Sequence, residues 1–183
     1  MTKDEMLDLI VSWENLKLLI REAENHPDQL SVLMDIALYS KHPKSWRAAW
    51  IADKIHEKNP QHIAPFLTKI IRQLKKETDK GKKRHWLKLI SQNEINEKHY
   101  SFLMNYCLDT FMLGEEPVAV RVHAMQILFN ISEKETAFKR ELASIIEHEI
   151  ELHPTAGIQS RGQKLIQKLK KQLKNPPSKK VDL

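Results

Sequence analysis

The chain has 183 residues, of which 41% are apolar and 30% charged, with a net charge of +6 and one cysteine. This length and apolar share suit one folded domain with a sizeable core and exclude a long disordered chain. No apolar run reaches the ~18 residues that a membrane-spanning helix needs.

Only 4 glycines occur. There is no Asn-Gly or Asp-Gly hairpin signal and no alternating β-branched run, so the composition predicts an all-α protein. Asp4, Glu5 and Asp8 interrupt the apolar N-terminus, which argues against a secretory signal. Cys107 has no second cysteine to pair with, which fits a reducing compartment. The expectation is a cytoplasmic protein.

In chain order, a helical segment covers about 3–25, with a possible break near Ser12. Helices follow over 28–40 and 43–58. Over 60–76, Asn59 serves as N-cap and Pro60 as first helical residue, and Ile63, Phe66, Leu67, Ile70, Ile71 and Leu74 form one apolar stripe. Next comes 81–92. Residues 97–112 carry the stripe Tyr100, Leu103, Met104, Cys107, Leu108, Phe111 and Met112, closed by Gly114. Pro117 opens 117–131. Phe138, Leu142, Ile145 and Ile146 mark 134–152. Ile158, Gly162, Leu165, Ile166, Leu169 and Leu173 mark 157–173. The connections are short and favour antiparallel neighbours. Residues 1–174 read as one domain, and 175–183 as a flexible basic tail with two prolines and little to bury.

The charge is uneven. Residues 154–183 hold 8 basic residues and 1 acidic one, whereas 1–153 hold 22 and 23. Within the balanced part, 69–88 hold 9 basic and 2 acidic residues. Two basic zones, 69–88 and 161–174, therefore sit on a near-neutral body.

Four segments share a motif: "KHPKSWRAAWIADKI", "DKGKKRHWLKLI", "EEPVAVRVHAMQIL" and "GIQSRGQKLIQKL". Each has an arginine near a helix start: Arg47, Arg84, Arg121 and Arg161, separated by 37, 37 and 40 residues. Periods of this length mark stacked helical hairpins that bury their apolar faces only against neighbours. The segments resemble HEAT/armadillo-type repeats, which favour a turn proline, then a valine–arginine pair, then apolar positions down the second helix. Pro117, Val120, Arg121, Ala124 and Leu128 match best. Pro43 and Arg47 follow, with Trp46 in the valine place. The segment at Arg84 lacks the proline, and Arg161 is set further from Pro154. The resemblance implies a right-handed α-α superhelix of about four hairpins plus an N-terminal capping helix.

Near a helix start, an arginine can lay its stem on apolar neighbours while its five donors bond carboxylates or free carbonyls. Such a column would clip repeat to repeat, with Asp35, Asp79 and Asp109 as candidate partners. The competing reading is a column that binds an anion.

No catalytic or cofactor motif is present: there is no nucleophile elbow, Walker loop, dinucleotide fingerprint or His-Glu-x-x-His. Cys107 lies on an apolar stripe and reads as a buried, inert thiol. His148, Glu149 and His153 lie close together, but no two histidines share i, i+4 spacing, so ordinary surface histidines are expected and no metal. No enzyme, cofactor, small-molecule substrate or membrane contact is expected.

Two functions remain. The first is a non-catalytic interaction module whose concave groove, lined by the helices starting near Pro43, Gly81, Pro117 and Gly157, binds a protein. Arg47, Arg84, Arg121, Arg161, Trp46, Trp50, Trp86 and His123 are its candidate contacts. Core packing is the competing role for Trp46 and Trp50. The second is nucleic-acid binding through Lys75, Lys76, Lys82, Lys83, Lys88, Lys164, Lys168 and Lys171, distantly similar to HEAT-like DNA-alkylation-repair proteins. The tryptophan-flanked acidic site that this resemblance would imply is absent. Solvated lysine faces are the simpler account of both zones.

Overall fold

A computed structural model describes residues 1–175, so the expected tail over 175–183 lies, apart from Asn175, outside the described residues. Within them the chain is helical throughout and has no strand. It divides into two compact units, Met1–Glu94 and a second beginning at Ile95.

The first unit begins with α1 (Lys3–Ile10). Thr2 and Glu5 form a reciprocal capping box there: the Thr2 hydroxyl accepts from the Glu5 N–H, and the Glu5 carboxylate accepts from the Thr2 N–H at 2.7 Å. The break expected near Ser12 is a 3₁₀ turn, Trp13–Asn15, before α2 (Leu16–Asn25). Then come α3 (Pro27–Tyr39) and α4 (Trp46–Lys58). Pro43 stands in the turn ahead of α4 rather than in its first residue.

The expected single helix over 60–76 is broken into α5 (Pro60–Ile63), a 3₁₀ turn at Ala64–Phe66 and α6 (Leu67–Leu74). Pro65 is the cause. It lacks an N–H, and its ring clashes with the carbonyl four residues back, so the chain tightens locally. The unit closes with α7 (Lys80–Ser91), whose N-cap Asp79 accepts from the Lys82 N–H at 2.9 Å.

Two rows of helices result: α2, α4 and α7 pack side by side, and α1, α3 and α6 form the row behind them. Met6, Ile10, Leu33, Met34, Ile51, Ile55, Ile70, Trp86 and Leu89 fill the space between the rows. This is how stacked helical hairpins bury faces that none could bury alone.

The second unit contains α8 (Tyr100–Met112), α9 (Val118–Ser132), α10 (Lys139–Leu152) and α11 (Ala156–Lys174). Short 3₁₀ turns lead into α8 and α10. α9 packs against α8, α10 and α11, and α10 pairs with α11. Leu103, Cys107, Phe111, Leu128, Leu142, Ile146, Ile158 and Leu165 form its core. Gly162 is buried where α11 meets α10. A Cβ there would stand 2.7 Å from Cδ1 of Ile150 and 3.0 Å from Cγ2 of Ile146, so the missing side chain sets how closely the two helices approach.

Candidate functional site

The motif arginines divide into two kinds. Arg47 and Arg121 are buried, while Arg84 and Arg161 are exposed. A helix C-terminus leaves its last carbonyls without intrahelical partners, and both buried arginines meet that need. Arg47, at the start of α4, donates through Nη1 to the carbonyls of Ile10, at 3.0 Å, and Val11, at the end of α1. Arg121 donates through Nε to the Phe111 carbonyl at the end of α8, at 2.7 Å. Its Nη2 lies 2.6 Å from the Glu149 carboxylate of α10, and both side chains are almost fully buried.

Asp35, Asp79 and Asp109, the expected partners, are not the acceptors. Backbone carbonyls and Glu149 take that role, and Asp79 is the cap of α7.

In the hairpin of α7, Lys82 serves in place of Arg84. Its ammonium is buried and donates to the Ser40 carbonyl, at the end of α3, over 2.8 Å. Burial pulls its pKa down, while Glu77 and Asp79 oppose that shift. Arg47 and Lys82 thus perform the same act one hairpin apart: a cation at the start of a front-row helix caps the end of a back-row helix in the preceding hairpin. The sequence offers four basic residues between Lys80 and Arg84, and identity alone selected the wrong one. The chemistry asks for a cation aimed inward, which a lysine also supplies.

α4 and α7 are further joined by a polar seam. Buried Asp53 lies 3.1 Å from Nδ1 of His85 and 2.8 Å from the Lys88 ammonium. Lys88 also reaches Glu57 at 2.9 Å, and Glu57 meets Lys54 at 2.7 Å. Burial raises the Asp53 pKa, but the bonds from His85 and Lys88 outweigh it and hold the carboxyl below its ordinary value. Lys88 is shifted upward: Asp53 and Glu57 outweigh its desolvation. The composition-based reading did not single out Asp53, His56 or Asn93, although His56 and Asn93 form a second bridge of 2.7 Å between the same helices' ends.

The tryptophans behave differently from one another. Trp86 is fully buried and offers no surface to a partner; its indole N–H finds no acceptor among the described residues. Trp46 and Trp50 are half-buried, one helical turn apart on α4. Trp13, in the turn before α2, is 54% exposed. Its ring meets Trp46 and Trp50 edge to face, with centroids 5.8 and 5.7 Å away. The Arg47 guanidinium lies over Trp13, 4.3 Å from its centroid. Trp13 was not among the expected contacts. Its only signal was a large aromatic residue at the expected break, outside any apolar period.

The cluster continues along one surface. Lys54 follows Trp50 by one turn and lies 6.0 Å from its ring. A Cβ on Gly81 would stand 3.3 Å from Cβ of Trp46, so the start of α7 abuts the cluster. Lys80, Arg84 and Lys88 fall at i, i+4 and i+8 on α7, hence along one side of it.

The proposed nucleic-acid contacts are only partly available. Lys82 and Lys88 are engaged as described. Lys75 and Lys76 are exposed at the end of α6, and Lys83 is half-buried. On α11, Lys164, Lys168 and Lys171 are exposed at i, i+4 and i+7. Lys168 lies 5.7 Å over the Phe129 ring, and Arg161 donates to Gln126 at 2.7 Å. His123 is half-buried on α9. Glu149, between His148 and His153, is committed to Arg121, and His153 stands 3.9 Å from it. Among the described residues, no group of three metal-ligating side chains converges.

A cleft of about 450 Å³ opens between the α3–α4 and α6–α7 turns, lined by Ser40, His42, Lys76, Glu77, Asp79 and Lys82 among others. Its acids and bases are interleaved, so it favours no single charge.

Paired helices stacked in rows and clipped by buried cations at helix ends define an α-helical repeat protein. More particularly, the HEAT repeat domain family model matches residues 3–169, and the chain belongs to that family. Comparison with curated proteins and with solved structures gives no match. No described helix is long and apolar enough to cross a membrane.

Proposed function

We propose that this HEAT repeat chain is a non-catalytic interaction module and that the α4–α7 face of the first unit, fronted by Trp13, takes a protein partner. The observation that carries this reading is the exposed tryptophan cluster. A fold has no need of a half-exposed indole held in place by two others and a guanidinium, whereas rigid exposed aromatic residues are the usual anchors of protein interfaces. HEAT repeats commonly serve as scaffolds of this kind. Of the helices expected to line a groove, α4 and α7 belong to the first unit and α9 and α11 to the second.

The absence of chemistry in this proposal rests on two features. Cys107 is fully buried and burial pushes its thiol pKa up, so it supplies no thiolate near neutral pH. The Asp53–His85 pair is closed by Lys88 rather than open to a nucleophile. A cytoplasmic location belongs to the same proposal, supported by the single unpaired cysteine.

The competing reading is tested by titrating the protein with mixed-sequence duplex and single-stranded DNA and RNA, at low and near-physiological salt. The proposal expects no binding at near-physiological salt. Micromolar binding that falls steeply with salt and disappears in Lys76→Glu/Arg84→Glu would overturn it in favour of nucleic acid. Lys82 is unsuitable for that test, because reversing it would break the bond to Ser40.

A further inference from the structure

We infer that the outer face of the back row of the first unit, formed by α1, α3 and α6, pairs with the same face of a second copy of the chain. The pairing is two-fold and electrostatic: the acidic side of each copy meets the basic side of the other. It is separate from the α4–α7 face and goes beyond the reading above.

The charges are segregated by helix. α1 and α3 carry Asp4, Glu5, Asp8, Asp28 and Asp35 against one basic side chain, Lys3. α6 and the two residues after it carry Lys69, Arg72, Lys75 and Lys76 and no carboxylate. α3 packs against α1 and against α6, so an acidic strip and a basic strip lie side by side in one row. Helical spacing keeps each strip on one face: Asp4 and Asp8 at i, i+4, Asp28 and Asp35 at i, i+7, and Arg72 and Lys76 at i, i+4.

Neither strip is neutralised from within. Asp4, Asp8, Asp28, Asp35, Arg72 and Lys76 are exposed, and none of them forms an ion pair among the described residues. Glu5 is committed to the Thr2 cap, Lys69 lies 5.7 Å over the Phe66 ring, and Lys75 is engaged elsewhere. The neighbouring elements do not cancel the pattern. α2, beside α1, carries Lys17 and Arg21 against Glu22 and Glu24. Beyond α6, Glu77 accepts from the Thr78 and Asp79 N–H groups, Asp79 caps α7, and α7 is itself basic.

The two signs select the occupant. A face that is acidic on one side and basic on the other is complementary to itself when turned about a two-fold axis running along its helices. A uniformly acidic or uniformly basic partner, nucleic acid included, would set like charges against one of the two strips. Tyr39, 54% exposed at the end of α3, adds apolar contact. Exposed ion pairs contribute little each and are screened by salt, so the dimer is weak and salt-sensitive.

The test is sedimentation equilibrium of the full chain over a range of concentrations, at low and near-physiological salt. Two variants reverse one strip each: Asp8→Lys/Asp35→Lys and Arg72→Glu/Lys76→Glu. All four side chains are exposed and unpaired, so the fold does not depend on them. The native chain should dimerise at low salt and dissociate as salt rises. Each variant alone should weaken dimerisation by about tenfold or more, because like charges then face each other. An equimolar mixture of the two variants should associate again, since one is now basic and the other acidic across the whole face. A native chain that is monomeric at every concentration and salt would overturn the inference. So would a dimer that survives either reversal, or a mixture of variants that stays monomeric. A chain that is monomeric alone and forms a complex only with added nucleic acid or another protein would overturn it in favour of that occupant.

Discussion

Arg121 shows how one side chain can serve three helices. It caps the end of α8, belongs to α9 and neutralises Glu149 of α10, all within the core of the second unit. Removing one member of a buried ion pair leaves an uncompensated charge, which costs about 3–5 kcal/mol. Arg121→Met should therefore destabilise the protein by that order, read as a lower urea midpoint. The double variant Arg121→Met/Glu149→Leu should recover a large part of the loss, because two apolar groups of similar size leave no charge stranded. A double variant no more stable than Arg121→Met would show that the bond to Phe111, and not Glu149, carries the effect. At this scale the sequence was a fair guide to which residue types matter and a poor guide to which copies. Arg47 and Arg121 stood out by motif. Arg84 shared the spacing without the motif proline and is exposed, while Lys82, which takes the expected position, looked like surface charge.

Among elements, the α4–α7 seam joins its helices through charged and polar side chains, and its stability should respond to acid. The Asp53 carboxyl is held below its ordinary value by His85 and Lys88. Its contribution is therefore present above the unfolded-state pKa of about 4 and is lost as pH falls through the lower folded-state value. Asp53→Asn removes that dependence. Between about pH 5 and pH 2, urea midpoints should fall less steeply in Asp53→Asn than in the native chain; parallel slopes would show that Asp53 gains nothing from its partners.

Helix positions were legible because the apolar stripes have helical period and Pro60 marks a helix start, although the Asn59 side chain makes no capping bond there and the caps at Asp79 and Thr155 were not singled out. The break at Pro65 was passed over because the stripe from Ile63 to Leu74 runs through it unbroken. Period alone is blind to a missing N–H. The Asp53–His85 contact was not legible, since it joins residues 32 apart that share no motif.

For the whole molecule, the repeat spacing and the motif at Arg121 were enough to reach the HEAT family, which the match over residues 3–169 establishes. What the chain binds was not legible to the same depth. Fold does not fix function, and Trp13, the anchor we propose, falls outside any apolar period.

The most direct measurement of the protein-binding claim is site-specific photo-crosslinking in host cells, with benzoylphenylalanine replacing Glu14, next to Trp13, and replacing Gln163 on the exposed face of α11 as a control. The account predicts a discrete protein adduct from position 14, absent from position 163 and lost when Trp13→Ala is added. No protein adduct at position 14, one indifferent to Trp13→Ala, or a nucleic-acid adduct there would contradict it.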